Sequence, residues 1–218
     1  MEAKQKVILY EKTRYSKPDQ WLVNSREKQI VRKILKKINL RADSLLDIPC
    51  GYGRFTSLFL KEGLSVTCSD LSKAMVDRCK ENVTTDRPQE NRGQISRFAV
   101  SDIRKLPFKE NSFDCTFTFR LVQHIPSPEE RKKLLQELSR VTRRWAIISF
   151  YRPSLFHILA RKIRGLKHGI NMLLQKEFVR EAESCNLKVK AVYPIFPGLH
   201  AQVICLLEKS ENPLPELF

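Results

Sequence analysis

Short apolar runs closed by Gly, Asp or Pro alternate along this chain with stretches whose apolar residues recur at helical spacing. That alternation is the pattern of βαβ units wound around a mostly parallel sheet. The runs Ser44–Ile48, Ser65–Ser69, Ile95–Val100, Phe113–Phe119 and Trp145–Phe150 read as five strands. Two more, Leu187–Val192 and Ala201–Glu208, are joined only by YPIFPGLH. A parallel crossover needs about a dozen residues or more, so these last two strands pair antiparallel. The prediction is an α/β chain with five parallel strands and a terminal antiparallel hairpin.

The intervening helices follow from periodicity. In Asp19–Ile38, Ile30, Val31, Ile34, Leu35 and Ile38 share one face, with Arg32, Lys33, Lys36 and Lys37 opposite. Phe55–Lys61, Ser72–Asn82 and Gln175–Cys185 are further helices, and Asp86–Gly93 is a polar loop. Pro128–Val141 opens on Ser127 as N-cap, with Pro128 at the first helical position and Glu130 three residues after the cap. At 218 residues the chain can bury a full core without staples. Residues 1–43 read as a helical, basic leading segment and 44–218 as the main domain.

Forty Lys and Arg against 24 Asp and Glu give a net charge of +16. The excess lies in residues 1–44, 131–144 and 151–180, while 45–130 is balanced. A field of this sign favours an anionic partner such as nucleic acid, an anionic membrane surface or a phosphorylated substrate, or simply keeps helix faces solvated. No apolar run reaches the roughly 18–20 residues that span a bilayer. The charged start MEAKQKVILYEKTRY lacks a secretory h-region, so a cytoplasmic chain is expected. Six cysteines without a C-x-x-C pair, and four histidines without an i, i+4 pair, predict buried free thiols and no metal site.

The run LLDIPCGYGR, residues 45–54, is an apolar strand ending on Asp47, then a loop with Gly51 and Gly53 leading into a helix. Glycines there let the backbone turn sharply and approach a ligand. The second strand ends at Asp70, 17 residues beyond Gly53, where a carboxylate can accept hydrogen bonds from a ribose diol. Thr56 occupies the place of the third glycine of a dinucleotide fingerprint, which argues against a nicotinamide enzyme.

Together LLDIPCGYGR, SVTCSDLSKAM and FAVSDIRKLPFKENSFDCTFTFRLVQHI resemble, in order, motifs I to IV of the class I S-adenosylmethionine-dependent methyltransferases, closest to the type 11 or UbiE-like group. The resemblance implies a Rossmann-like fold: seven strands in the order 3-2-1-4-5-7-6, helices on both faces and a small basic cap. It implies S-adenosylmethionine as cofactor. Asp47, Gly51 and Gly53 would surround its methionine part, Asp70 would hold the ribose hydroxyls, and Leu71 would pack on the adenine. Asp102, with the backbone of Ile103, would meet the adenine amino group, and Arg120 would face the methionyl side. The family usually carries Gly where this chain has Pro49. Proline removes a donor, so the loop is expected to make its contacts from Cys50, Gly51 and Gly53.

His124, after the fourth strand, is the candidate catalytic base, with a structural imidazole packed beside Ile125 as the alternative. Residues 151–170 occupy the place of a substrate-covering insertion. Within them Leu155, Ile158, Leu159, Ile163 and Leu166 share one helical face, bordered by Arg161, Lys162, Arg164 and Lys167. Tyr10, Arg14, Tyr15 and Trp21 are candidates to close over the cofactor or acceptor. The expected acceptor is a small molecule or a lipid or glycolipid, anionic and methylated on oxygen, with peripheral contact to an anionic membrane. The alternatives are an RNA or ribonucleoprotein methyltransferase, and a module that binds the cofactor without turnover.

Overall fold

The computed structural model describes residues 2–14, 16–40, 43–85, 93–154 and 171–210. Tyr15, most of the loop expected at 86–93 and residues 155–170 of the expected insertion lie outside the described residues. Seven strands form one sheet: β1 Ser44–Asp47, β2 Ser65–Asp70, β3 Gln94–Val100, β4 Phe113–Thr118, β5 Thr142–Tyr151, β6 Leu187–Pro194 and β7 Gln202–Lys209. Their spatial order is β3-β2-β1-β4-β5-β7-β6. β1 pairs parallel with β2 and β4, and β7 runs antiparallel between β5 and β6. This is the Rossmann-like methyltransferase topology, with the terminal hairpin in its expected place.

Adjacent strand residues point to opposite faces, and both faces are packed. Leu45 and Ile147 enter one core with Ile30, Val31, Ile34 and Leu35 of α2 (Pro18–Lys37). Leu46 and Ile148 enter the other with Leu134, Leu135 and Leu138 of α4 (Pro128–Val141). The other helices are α1 Glu2–Arg14, α3 Thr56–Lys61, the helix Lys73–Thr85 after β2, and α5 Gln175–Glu183. The apolar stripe of α2 therefore joins the sheet's own core. Phe55, Phe59, Phe117 and Phe119 form its aromatic centre, with Phe55 and Phe119 ring centroids 4.6 Å apart. Truncating a buried Phe such as Phe117 costs about 3–5 kcal/mol.

Several elements differ in detail from the sequence expectation, and the helix after β2 runs on to Thr85. α1 falls within the leading segment read as helical, although it has no apolar stripe; polar contacts help tie it to the Lys73–Thr85 helix, with Arg78 and Asn82 both donating to Glu11. β5 starts three residues earlier than its apolar run, at Thr142, whose backbone turns extended at the end of α4. Arg143 and Arg144 hid that start, being exposed strand residues. α5 ends before Cys185, and Asn186 then takes a left-handed φ of 61°.

Candidate active site

Parallel register brings the carboxyl ends of β1, β2 and β4 together, and the loops that leave them make a crevice. Asp47, the last residue of β1, is 2% exposed and accepts a hydrogen bond from Thr56 Oγ1 at 2.8 Å. Burial pushes its carboxyl well above the usual aspartate range, with the Thr56 hydrogen bond pulling the other way. Asp70 ends β2. Its Oδ2 accepts from the Gly51 N–H at 3.0 Å and its Oδ1 from the Ser72 N–H at 2.9 Å. Each oxygen keeps capacity for another donor. Burial raises the Asp70 carboxyl too, and these backbone bonds limit the rise.

The glycine loop departs from expectation in one respect. The Cys50, Gly51 and Gly53 N–H groups are all spent inside the protein, on Ser69 O, Asp70 Oδ2 and Cys50 O. They tie the loop to β2 and to itself, so the donors expected for a ligand from these three residues are already used. What the loop offers is room: Gly51 has φ +54°, and a Cβ built there meets no atom within 4 Å. Gly53 serves packing instead, since a Cβ there would stand 3.0 Å from Cys79 Sγ.

Two cavities meet at Pro49 and Asp70, which line both. The larger, about 490 Å³, is walled chiefly by apolar atoms and takes in Leu71, Ile103, Leu121 and His124. The smaller, about 190 Å³, is bounded by Tyr10, Asp47, Gly51, Arg54, Phe119 and Arg120. A carboxylate with two open acceptor positions at the junction, an apolar slot on one side and an open glycine face on the other fit an adenosyl ligand extended across both. Leu71 is 67% exposed and so available to a flat apolar ring.

Sequence reasoning missed Glu27. This α2 carboxylate is fully buried between two guanidiniums of the smaller cavity: Arg54 Nη1 donates to Oε2 at 2.5 Å, and Arg120 donates to Oε1 through Nε at 3.1 Å and Nη2 at 2.5 Å. Asn24 Oδ1 also accepts from Arg54, and the Arg54 guanidinium lies 4.1 Å from the Phe55 ring centroid. Burial opposes ionisation of Glu27, but the Arg54 and Arg120 charges outweigh it and hold its carboxyl below the usual range. The three side chains carry one net positive charge at the cavity wall. Arg120 lines the smaller cavity, with Glu27 as its unforeseen partner.

Asp102 is engaged otherwise than foreseen. Arg104 grips its carboxylate, with Nε to Oδ1 at 3.0 Å and Nη2 to Oδ2 at 2.7 Å, so any adenine contact must share those oxygens. His124 closes a short 3-10 turn, Val122–His124, with an exposed side chain, and lines the larger cavity with Asp102 and Ile103; the smaller cavity does not include it. Tyr10 reaches the smaller cavity, whereas Trp21 is 62% exposed. Cys50, Cys68 and Cys79 are buried free thiols beside the loop. Hydrogen bonding to Cys79, and then burial, push the Cys50 and Cys68 thiols up, so neither offers a thiolate nucleophile at neutral pH.

Residues 46–150 match the family model described as a methyltransferase domain. They form a methyltransferase domain, with the Rossmann-like strand order described above. The domain's fold is similar to that of a magnesium protoporphyrin IX methyltransferase from Synechocystis PCC 6803 with bound SAH, at a TM-score of 0.73 and 20% identity over 89% of this chain and 88% of that one. In sequence, the chain is 26% identical over 103 residues to a ubiquinone biosynthesis O-methyltransferase of Coxiella burnetii, covering 47% of this chain and 42% of that protein. A tRNA (carboxymethyluridine(34)-5-O)-methyltransferase of Xenopus tropicalis is 27% identical over 153 residues, 68% of this chain and 21% of that protein. The chain thus spans less than half the length of the curated relatives it matches.

Proposed function

We propose that this chain transfers a methyl group from S-adenosylmethionine to an oxygen of a small, amphiphilic acceptor bearing negative charge. The observation that carries the reading is the meeting of two cavities at Asp70, one walled chiefly by apolar atoms and one holding the Arg54 and Arg120 guanidiniums. In this reading Asp70 accepts from the ribose hydroxyls, Leu71 and Ile103 flank the adenine, and Asp102 stands near its amino group. Asp47, Pro49, Cys50, Gly51 and Gly53 surround the methionyl part, and Arg120 faces it. The cofactor supplies a methyl group activated on a sulfonium.

The chain's own contribution is then orientation and dryness. Phe117 and Phe119 are buried against the smaller cavity, and excluding water there suits a reaction in which charge is neutralised. An acceptor that arrives as an anion needs no base. A hydroxyl acceptor does, and His124, exposed on the larger cavity, is our candidate to take its proton. The names of the Coxiella and Synechocystis relatives, both enzymes of small molecules, support this acceptor class. Buried free thiols suit a reducing compartment, which supports a cytoplasmic site of action; among the described residues no helix is long and apolar enough to cross a membrane.

Labelled-methyl transfer into fractionated lipid, metabolite, RNA and protein pools tests the proposal. Label in an acidic, organic-extractable small molecule is the expected result. The Xenopus relative and the net charge of +16 favour a second reading, methylation of RNA. Label in the RNA pool, with binding that weakens steeply as salt rises, would replace the first reading by the second.

A further inference from the structure

Among the described residues, eight large apolar side chains stand open to solvent, and all belong to segments at the crevice end of the sheet. Five lie on α1, on α2 and in the loop that α2 holds. Leu9 and Tyr10 lie on α1, at 63% and 46% exposed, and Trp21 and Leu22 on the first turns of α2, at 62% and 52%. Leu199, at 59%, lies in the β6–β7 loop, which Arg26 of α2 ties down by donating to Ile195 O. The other three lie just past β2, at the end of β3 and at the start of α5. Tyr10 also lines the smaller cavity, so α1 reaches the crevice mouth.

Cations border these side chains. Lys12, Lys17 and Arg26 are exposed, and among the described residues none has a carboxylate partner; Asp19 is the one exposed acid between Lys12 and Arg26. Separate apolar side chains that include Trp and Tyr, set among unpaired cations, match the headgroup boundary of an anionic bilayer: the rings and leucines enter the apolar edge while the cations meet lipid phosphates.

We infer that the α1–α2 corner, together with Leu199, docks the crevice mouth onto an anionic lipid bilayer. Docked so, the smaller cavity opens toward the membrane, and an amphiphilic acceptor enters it without crossing water. This deepens the acceptor reading above and rests on it.

The chain's two tryptophans make the test direct, because Trp21 lies at the corner and Trp145 at the opposite end of the sheet. The full chain carrying Trp145→Phe, with Trp21 as the remaining fluorophore, is mixed with phosphatidylcholine vesicles and with vesicles containing one quarter phosphatidylglycerol. A blue shift with the anionic vesicles, and quenching by brominated acyl chains, is the expected result. In co-sedimentation of the otherwise native chain, Trp21→Ala with Leu22→Ala lowers partitioning at least about tenfold.

No association with either vesicle overturns the inference. So does association in which Trp145, read in a Trp21→Phe variant, is the quenched ring, or a Trp21 response to polyuridylate with none to vesicles. Calorimetry of S-adenosylmethionine on the same proteins separates the two failures. Cofactor binding without vesicle association ends the docking inference alone, and vesicle association without cofactor binding ends the methyl-transfer reading.

Discussion

The two ends of the sheet are built from different chemistry. At the carboxyl end, buried Asp47 and Asp70 face cavities with apolar walls, and apolar side chains surround the mouth. At the amino end lies a hollow larger than either of these, about 1060 Å³, yet Arg143, Arg144 and Lys190 on its wall all have acid partners. Arg143 pairs with Asp114, Lys190 with Glu208 at 3.0 Å, and Lys209 Nζ donates to Asn111 Oδ1 and Thr142 O. Asp114 in turn accepts from the Ser44 N–H and hydroxyl, fastening the start of β1 to β4. Volume alone would choose the wrong end. Desolvated carboxylates with unused acceptor capacity favour the carboxyl end as the site we propose, because burying them costs stability that a purely structural role would not require.

The sharpest way to break that contrast is at Glu27. Glu27→Ala removes the buried carboxylate that both Arg54 and Arg120 grip, and unfolding stability should fall by about 3–5 kcal/mol, measured by denaturant titration. Glu27→Gln, which keeps one acceptor, should cost less. The pH dependence has a definite sign: the folded carboxyl sits below the unfolded 4.5, so its stabilisation is present above that value and is lost as pH falls through the lower folded value. A pH-independent difference between wild type and Glu27→Gln over that window would show that Glu27 is not the ionised partner of both guanidiniums.

Asp70→Ala comes next. Removing charge-assisted hydrogen bonds worth about 1.5–3 kcal/mol should weaken S-adenosylmethionine about ten- to a hundredfold in calorimetry. Unchanged affinity would refute the ribose assignment. Because burial raises the Asp70 carboxyl above its ordinary 3.8, wild-type affinity should start to decline, as pH is lowered, while an ordinary aspartate is still ionised. The same raised value means that ionising Asp70 costs folding stability, a cost relieved as pH falls through the folded value.

How far the sequence foretold this site depends on whether the signal was local. β1, its terminal Asp47, the glycine loop and Asp70 were legible because strand, turn and spacing lie within 26 residues of one another. So was the hairpin, from the length of its connection. The Arg104 clasp on Asp102 was not, because nothing in SDIRK shows which way a side chain turns. Glu27 did leave a trace. It falls on the same helical face as Ile30, Val31 and Ile34, so a charge stood on the buried stripe of α2. Its partners lie 27 and 93 residues away, and only the fold brings them near.

Smaller effects separate room from packing within the loop. Gly53→Ala adds a Cβ at φ +88° against Cys79 Sγ, and should destabilise by about 1–3 kcal/mol. Gly51→Ala carries backbone strain of about 1–2 kcal/mol without a clash. Its Cβ enters open crevice, so it should weaken cofactor binding more than its strain alone would. Equal losses of stability and affinity in both variants would remove the distinction between the two glycines.

The smallest change belongs to the amino end. Glu208 pairs with Lys190 at 3.0 Å and with Arg144 at 3.5 Å, through side chains that are partly or well exposed. Water screens such pairs, so Glu208→Gln should alter stability by no more than about 1 kcal/mol and the effect should shrink in salt. Cofactor affinity should not change, because the variant touches neither cavity of the crevice. A tenfold loss of S-adenosylmethionine binding in Glu208→Gln would mean that the two ends are coupled through the sheet, and that the charged hollow shares in the work of the crevice.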